Sequence, residues 1–558
     1  MFDRHHAVWP EGLPHHLGLP QTSLYSNLAI SALRYPERPA IIYYDTPLSY
    51  RQLDAEVQAL AGYLQQRGVA AGDRVLLFMQ NAPQFVIGYY AILRANAVVV
   101  PVNPMNRSVE LEHYAEDTDA TLCLCGQERF EAVAPLLESG RLAHAVVATY
   151  GDYVSGETDL DLPAEVAATA TPIDAGNAIH WSAAIAAGHV PGELTVGPDD
   201  LAVLPYSSGT TGAPKGCMHT HGTVMATAVQ SVYWSRSTSE GKSLATLPYF
   251  HVTGMQNGMN APIFIGSTVV LMTRWERRTA ATLIERYRIT RWTNIVTMAI
   301  DMLADPEIER FDLSSLENIG GGGAAMPEAV SEKLFKLTGL RYIEGYGLSE
   351  TIAGTHINPF DGPKPQCLGI PVFDVDSRII DTETLAELGP NQVGEIVTRG
   401  PQVFIGYWRR PEATEAAFID IDGHPFFRTG DIGYYDEQGY FFLVDRVKRM
   451  INASGYKVWP AEVESLMYRH PDIREACIIS TPHARRGESV KACVVLVDEA
   501  VGRVDGADIR QWCRDNMAAY KVPQVVEICQ ALPRSPTGKV MWRALQEAEW
   551  PGDDAANG

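Results

Sequence analysis

The sequence predicts an α/β protein with a large N-terminal domain of layered, mostly parallel sheets and a small mobile α+β C-terminal domain. Three observations lead there. At 558 residues the chain exceeds what one core organises, so two to four packed units are expected. From about Leu24 to Val270, short β-branched runs alternate with amphipathic helical stretches, the pattern of layered α/β structure. Near Asp445 the rhythm changes.

Taken in order, Arg74-Val75-Leu76-Leu77-Phe78, Ala97 to Val102 and Ser267 to Met272 read as strands. The apolar run Phe85 to Val102 is interrupted by Arg94 and Asn96, and it reads as a buried helix entering a strand, not as a membrane span. The segment 151–200, rich in Ala, Gly, Pro and Asp, reads as a surface excursion. Gly394 to Gly400 and Tyr440 to Val444 read as strands. Beyond them come a helix at Pro460 to Arg469, strands at Ala476 to Ser480 and Lys491 to Val497, and a helix at Gly506 to Met517. The expected division is 1–444, a charged hinge at 445–449, and 450–558.

With 45 Lys+Arg against 67 Asp+Glu, the formal net charge is −22, the opposite of a nucleic-acid binder's footprint. Any polyanionic ligand must then be met by a few concentrated cations and by glycine-rich backbone. The first twenty residues lack the basic region and apolar run of a signal peptide. Eight scattered cysteines with no CxxC pair read as reduced thiols of a cytoplasmic protein. The His5-His6 and His15-His16 pairs have metal-binding chemistry, but their Pro/Gly-rich setting reads as a solvated tail.

Tyr206-Ser207-Ser208-Gly209-Thr210-Thr211-Gly212-Ala213-Pro214-Lys215-Gly216 carries the most chemistry. Its glycines permit close backbone approach, its hydroxyls supply donors, and Lys215 adds a point charge, a set suited to polyphosphate. It is not a Walker loop, because no Gly precedes Lys215 and no Ser or Thr follows it. An apolar strand before it and a helical stretch after it argue against a plain linker.

This loop resembles the signature of the adenylate-forming superfamily: acyl- and aryl-CoA synthetases, firefly luciferase and peptide-synthetase adenylation domains. Tyr346-Gly347-Leu348-Ser349-Glu350-Thr351 resembles that family's second core motif and Arg428-Thr429-Gly430-Asp431 its third. Asp445 to Lys457 resembles its hinge motif, and Pro533-Arg534-Ser535-Pro536-Thr537-Gly538-Lys539 its C-terminal lysine motif. They occur in the family's order over about residues 25 to 545, most like fatty-acyl-CoA and 4-coumarate-CoA ligases. The resemblance implies an acid–CoA ligase using ATP, Mg²⁺ and coenzyme A, through an acyl-adenylate and with release of pyrophosphate and AMP.

By the same resemblance, Ser207, Ser208, Gly209, Thr210, Thr211 and Lys215 handle the phosphates. Thr210 and Glu350 hold Mg²⁺, and Ser349 stands where the family usually has Thr at the α-phosphate. Gly322, Gly323 and Ala324 with Glu344, Gly345 and Tyr346 form the adenine slot, while Asp431 and Arg446 hold the ribose. Lys539 stabilises charge developing between the carboxylate and the α-phosphate. Lys448 is the hinge residue about which the small domain rotates. Gly455 lines the pantetheine tunnel, and Ser454, Lys457 and Arg274 are candidate coenzyme A contacts. Asn452 stands where aryl-CoA ligases and luciferases frequently have a lysine, a departure in the local phosphate contact and not in the reaction class. His251 is placed near the acyl carboxylate, with a core histidine as the bland alternative.

Other readings remain on the table. Gly320 to Ala325 satisfies G-x-G-x-x-A with Glu344 about twenty residues on, the local pattern of an NAD-dependent dehydrogenase, which leaves the 207–215 loop unexplained. A carrier-protein thiol could replace coenzyme A, and a nucleotide-binding regulator would lack the catalytic groups. No G-x-S-x-G elbow is present. The acid pocket is expected from His251, 294–298, 320–324, and Leu348 with the stretch after Thr351, with glycines beside Met298 and Ile300 giving an open apolar slot. Medium- or long-chain fatty acids lead, with aryl or branched short-chain acids as the alternative. The partners expected are the acid, ATP and coenzyme A, with no nucleic acid and no integral membrane segment. A homodimer is compatible with this reading.

Overall fold

The computed structural model describes residues 2–207, 214–323, 325–446, 449–453, 456–483, 487–534 and 540–550. The side chains of 446, 452, 453, 456, 457 and 487 lie outside that description. Two compact units emerge: Met1–Ser377 with Thr398–Phe427 and Gln438–Phe441, and Arg378–Val397 with Arg428–Glu437 and Phe442–Gly558.

The first unit contains two large sheets. One runs His219–Thr220, Leu201–Val203, Val98–Pro101, Arg74–Phe78, Leu122–Gly126, His144–Ala148, Ala178–His180. All its neighbours are parallel except the first pair. The other has nine strands: Ile370–Pro371, Ala353–Ile357, Ile343–Leu348, Asn318–Gly322, Arg291–Asn294, Lys242–Ala245, Thr268–Leu271, Pro39–Tyr43, Thr46–Ser49. Its centre is parallel and its edges antiparallel. Parallel strands require crossover helices on both faces, which is why their sequences are continuously apolar and not alternating. Val98–Pro101 and Leu122–Gly126 are buried at every position.

The run read as a helix entering a strand is Pro83–Arg94 followed by Val98–Pro101. Proline at the helix start and buried residues nearly throughout explain its apolar character without a membrane. No helix among the described residues is long and apolar enough to cross a bilayer. The 151–200 segment is largely exposed, yet it supplies the edge strand Ala178–His180 and the buried Trp181.

The N-terminal reading is corrected. Residues 2–9 are not a solvated tail. Arg4–Val8 forms a 3-10 helix, the Phe2 amide donates to Asp376 Oδ1 at 2.8 Å, and Phe2 and His5 are buried. Trp9 packs edge-on against Trp234 and Phe373, with centroids 5.2 and 5.4 Å away. Aromatic burial outweighs the Pro/Gly composition on which a tail was expected. Burial pushes His5 down to about 3, and no metal-holding group of His, Cys, Asp and Glu occurs among the described residues.

In the second unit a sheet runs Tyr456–Val458, Ile451–Ala453, Gly487–Leu496, Ile473–His483, with Val525–Ile528 parallel to Gly487–Leu496. Helices Pro460–Met467 and Gly506–Asn516 cover one face through Val463, Met467, Ile509 and Cys513. The other face, at Cys477, Ile479, Cys493 and Val495, meets Trp542 and Leu545. None of the eight cysteines is disulfide-bonded.

The anchored N-terminus carries a prediction. Amides of residues 2–9 should exchange slowly in the wild type, and Phe2→Ala should abolish that protection, by loss of about 3 kcal/mol of local stability. Exchange in the wild type as fast as in a free peptide would contradict the packing.

Candidate active site

The carboxyl ends of the central parallel strands in the nine-stranded sheet converge, and ligands of open α/β sheets bind there. Gly320, Gly321 and Gly322 occupy the strand between Arg291–Asn294 and Ile343–Leu348. A Cβ on Gly321 would run into the Asn294 carbonyl, one on Gly320 into that of Ile343, and one on Gly322 into that of Gly345. These glycines are therefore demanded by strand packing, and Gly323 turns the chain out at φ +88. Three of the four lie inside a strand, whereas a dinucleotide fingerprint needs them in the turn to the helix. Ala324 lies outside the described residues.

Glu344, on the neighbouring strand, is buried, and burial raises its carboxyl to about 7. It accepts backbone N–H groups from Met326 at 3.2 Å and Gln366 at 2.8 Å. The carboxylate thus pins two loops beside the glycine strand, a positioning role. Gly345 and Tyr346 follow on that strand, with the Tyr346 ring 5.6 Å from His356.

Ser349, Glu350 and Thr351 form a 3-10 turn directly after the strand. Gly347 allows it, since a Cβ there would strike the Ala353 carbonyl. The chain leaves through Ile352 at φ 44 and Ala353 at φ 102, conformations that cost non-glycine residues energy. The buried Thr351 hydroxyl, near the Leu348 amide (2.9 Å) and the Ala353 carbonyl (2.8 Å), stabilises them. The turn is also held from outside. His219 Nε2 donates to the Ser349 carbonyl at 2.8 Å, and the Phe404 amide donates to the Glu350 carbonyl at 2.8 Å. His219 is buried and its pKa lowered by that burial to about 4, so it is neutral at ordinary pH.

The Glu350 carboxylate accepts the Tyr407 hydroxyl at 2.9 Å, and Lys215 Nζ lies 4.9 Å from the Tyr407 ring centroid. Lys215 and Ser207 are paired across a short antiparallel ladder that brackets 208–213. Tyr206, on that ladder, donates to Asp117 Oδ2 at 2.7 Å, and Asp117 also pairs with Arg410. The folding thus brings Lys215 and Glu350 together at Tyr407, with Ser207 paired to Lys215 on the ladder and Ser349 next to Glu350 in the turn. A fixed carboxylate offering hard oxygen is what Mg²⁺ takes, and glycine backbone beside an aromatic ring fits a purine. Ser208, Gly209, Thr210 and Thr211 lie outside the described residues.

His251 is exposed and caps a short helix, its Nδ1 facing the Thr253 amide at 3.4 Å, so it is no core histidine. Arg274 is half-exposed and paired with Glu165 at 2.5 Å. Met298 touches the Thr246 hydroxyl, while Ile300 faces outward. The helical run Val252–Ile265 packs on the sheet face that carries Ala245. By strand alternation and register that face continues as Thr293, Gly320 and Gly322, a row of small side chains.

In the second unit Asp431 is buried within the strand His424–Tyr435, its amide bonded to the Thr429 hydroxyl at 3.1 Å. Arg428 pairs with buried Glu395 at 2.6 Å, which also accepts the Gly430 amide, so the motif is a locked strand segment and not a free turn. Asp445 is buried and accepts the Ala461 amide at 2.6 Å. Lys448, Ser454, Gly455 and Lys539 lie outside the described residues, as do the side chains of Arg446, Asn452 and Lys457. Sequence reasoning missed Tyr407, His219 and Asp117. Tyr407 stands 57 positions from Glu350, and no local spacing marks such a pair.

Comparison with known proteins places this geometry. The family model described as AMP-binding enzyme matches residues 28–408, and the AMP-binding enzyme C-terminal domain matches 462–539. A long-chain-fatty-acid–CoA ligase of Bacillus subtilis is 35% identical over 97% of both chains. A feruloyl-CoA synthase of an Amycolatopsis species is 33% identical over 91% of this chain and 95% of that protein. The crystal structure of ATP-bound MatB from Rhodopseudomonas palustris superposes with a TM-score of 0.83 at 27% identity, covering 95% of this chain and 99% of that one.

His219 yields a pH prediction. Its folded pKa of about 4 lies below the unfolded 6.5, so the unfolded chain binds the extra proton and stability is lost as pH falls from 6.5 to 4. The loss should reach about 3 kcal/mol, and His219→Gln, which keeps a donor toward Ser349, should remove it. Identical pH–stability curves for the two proteins would refute the buried neutral imidazole.

Proposed function

We propose that this chain, which belongs to the AMP-binding enzyme family and is an AMP-forming acid–CoA ligase, acts on aliphatic acids of medium or long chain. The row of small side chains at Ala245, Thr293, Gly320 and Gly322 under the Val252–Ile265 helical run carries this reading, because an alkyl chain needs an extended slot without bulky residues. The fatty-acid name of the Bacillus relative supports it.

The chemistry follows from the weakness of a carboxylate as an electrophile. A carboxylate oxygen attacks the α-phosphorus of ATP, and pyrophosphate leaves with the electron pair of the broken P–O bond. The acid is then neutral and carries AMP as its leaving group. Positioning and electrostatics dominate such a step. Ser207, Ser208, Gly209, Thr210, Thr211 and Lys215 bind the β- and γ-phosphates. Glu350, oriented by Tyr407, and Thr210 hold Mg²⁺, which when bound neutralises phosphate charge. Gly322, Gly323, Ala324, Gly345 and Tyr346 receive adenine, with Glu344 fixing their loops, and Asp431 with Arg446 holds the ribose. Ser349 faces the α-phosphate, His251 the acyl carboxylate, and Lys539 the charge building between them. Coenzyme A then attacks the acyl carbon through its sulfur, loses its thiol proton, and expels AMP. Gly455 leaves room for pantetheine, with Lys448 in the 445–449 hinge between 1–444 and 450–558.

Pyrophosphate release with acids of increasing chain length tests the substrate. Each buried CH₂ should add roughly 0.8 kcal/mol or less, so two carbons give about tenfold in kcat/KM until the slot is full. A flat profile with a sharp preference for one benzoate or cinnamate would replace the aliphatic reading with an aryl one.

The half-reactions should separate. Lys539→Ala should lower acid-dependent pyrophosphate release by about 10²-fold or more, while still converting a supplied acyl-adenylate and coenzyme A to thioester. Gly455→Trp should form adenylate and stall. Equal loss of both half-reactions in both folded variants would sink the division of labour.

A further inference from the structure

The helix-facing side of the nine-stranded sheet changes character along its length. Arg291 and Ser243, at the starts of adjacent parallel strands, share this face with Ala245, Thr293 and Gly320 two positions further on. The opposite face, at Leu244, Trp292 and Ile319, is filled by an apolar cluster. At the Arg291 end lies a cavity of about 200 Å³ whose lining includes Arg291, Ser235, Ser237, Ser243 and Asn257, with Arg236 and the exposed Glu317, which is not paired with Arg291, also on its wall. Asn257 stands two turns along the same helical run that His251 caps, so the cavity and the candidate active site flank one helix.

Arg291 donates to the Ser235 and Ser237 hydroxyls. Among the described residues no carboxylate pairs with it, whereas Arg278, Arg286 and Arg288 nearby all have one. Arg291 is only partly exposed, and a guanidinium withdrawn from water in this way is ordinarily matched by an anion. Burial pulls its pKa down to about 10, which leaves it charged at neutral pH. The Ser235 hydroxyl donates to the Ser231 carbonyl and lies 2.9 Å from the Ser237 hydroxyl, so of the two it is Ser237 that can accept from the guanidinium and offer its proton to an incoming oxygen. A guanidinium fork with hydroxyls around a small enclosed space is a carboxylate receptor. An alkyl terminus would instead bury the charge against methyl and leave it unmatched.

From Asn294, at the carboxyl end of its strand, back to Arg291 is three residues, about 10 Å, the span of an extended chain of roughly eight carbons. Resting on the aliphatic reading above, we propose that the cavity seats the far end of the acyl substrate and that this end carries a second carboxylate. The acid would be an α,ω-dicarboxylate of roughly eight to ten carbons, activated at one end while Arg291 holds the other.

The test compares saturated monoacids and diacids of six to fourteen carbons as substrates for the full-length enzyme, with thioester formation as readout. In the wild type, kcat/KM for the eight- to ten-carbon diacids should exceed that of equal-length monoacids by tenfold or more. Arg291→Leu should lower the diacid value by about 10²-fold and raise the monoacid value, inverting the preference, while Arg291→Lys should keep part of it. A wild-type preference for monoacids at every length overturns the proposal even if the leucine variant does not fold. So does an unchanged diacid-to-monoacid ratio in folded Arg291→Leu. Turnover of aryl acids with neither aliphatic series accepted would overturn the aliphatic reading itself, an outcome distinct from monoacid preference.

Discussion

Close approach of backbone to backbone at the glycine strand is the constraint on which the candidate site depends. Gly320, Gly321 and Gly322 lie where any side chain would strike a carbonyl of the flanking strands. Their absence of Cβ atoms lets Arg291–Asn294 and Ile343–Leu348 close on the central strand. This sets the floor of the slot proposed for adenine, the starting point of the Glu350 turn, and the width of the slot proposed for the acid. Substituting any of them would disturb all three, because interiors are packed too densely to absorb a methyl group against backbone.

A protein with a net charge of −22 that binds ATP and coenzyme A must place positive potential locally. It does so with few cations. Lys215 stands over Tyr407, whose hydroxyl is committed to Glu350. Burial and the neighbouring Glu350 both raise the Tyr407 pKa, so its proton stays available for donation. Glu350 is thereby oriented by a neutral hydroxyl that keeps its proton. The strained exit at Ile352 and Ala353 belongs to the same arrangement: a poorly populated backbone leads away from the carboxylate while neutral His219 holds the Ser349 carbonyl and the Phe404 amide that of Glu350 itself.

Polar groups inside the first unit divide into two kinds. Glu344 is satisfied by two backbone amides and acts as a clamp, its raised pKa recording that burial outweighs those bonds. Arg291 is a charge without an anionic partner among the described residues, enclosed with hydroxyls. The first kind fixes loops, and the second specifies what may enter.

Much of the fold was legible in the sequence, because burial on both faces of a parallel strand leaves a continuous apolar run. Arg74–Phe78 was read to the residue, and Pro83–Arg94 entering Val98–Pro101 was read as helix then strand. Local motifs likewise marked the short ladder that brackets 208–213, the Glu350 turn and the Asp431 segment, since close backbone approach demands glycine and hydroxyls in fixed order. The N-terminal segment was misread because its composition is that of a tail, while its anchors, Trp234, Phe373 and Asp376, lie hundreds of positions away. Tyr407, His219 and Asp117 were invisible for the same reason: each acts through a partner distant in sequence. The sequence alone determined the family, the reaction class and the order of the motifs. Only tertiary structure decided which side chain orients Glu350 and which face of the sheet carries small side chains. It also decided that Arg291 is enclosed with serines, because register and burial are properties of packed strands and no single strand carries them.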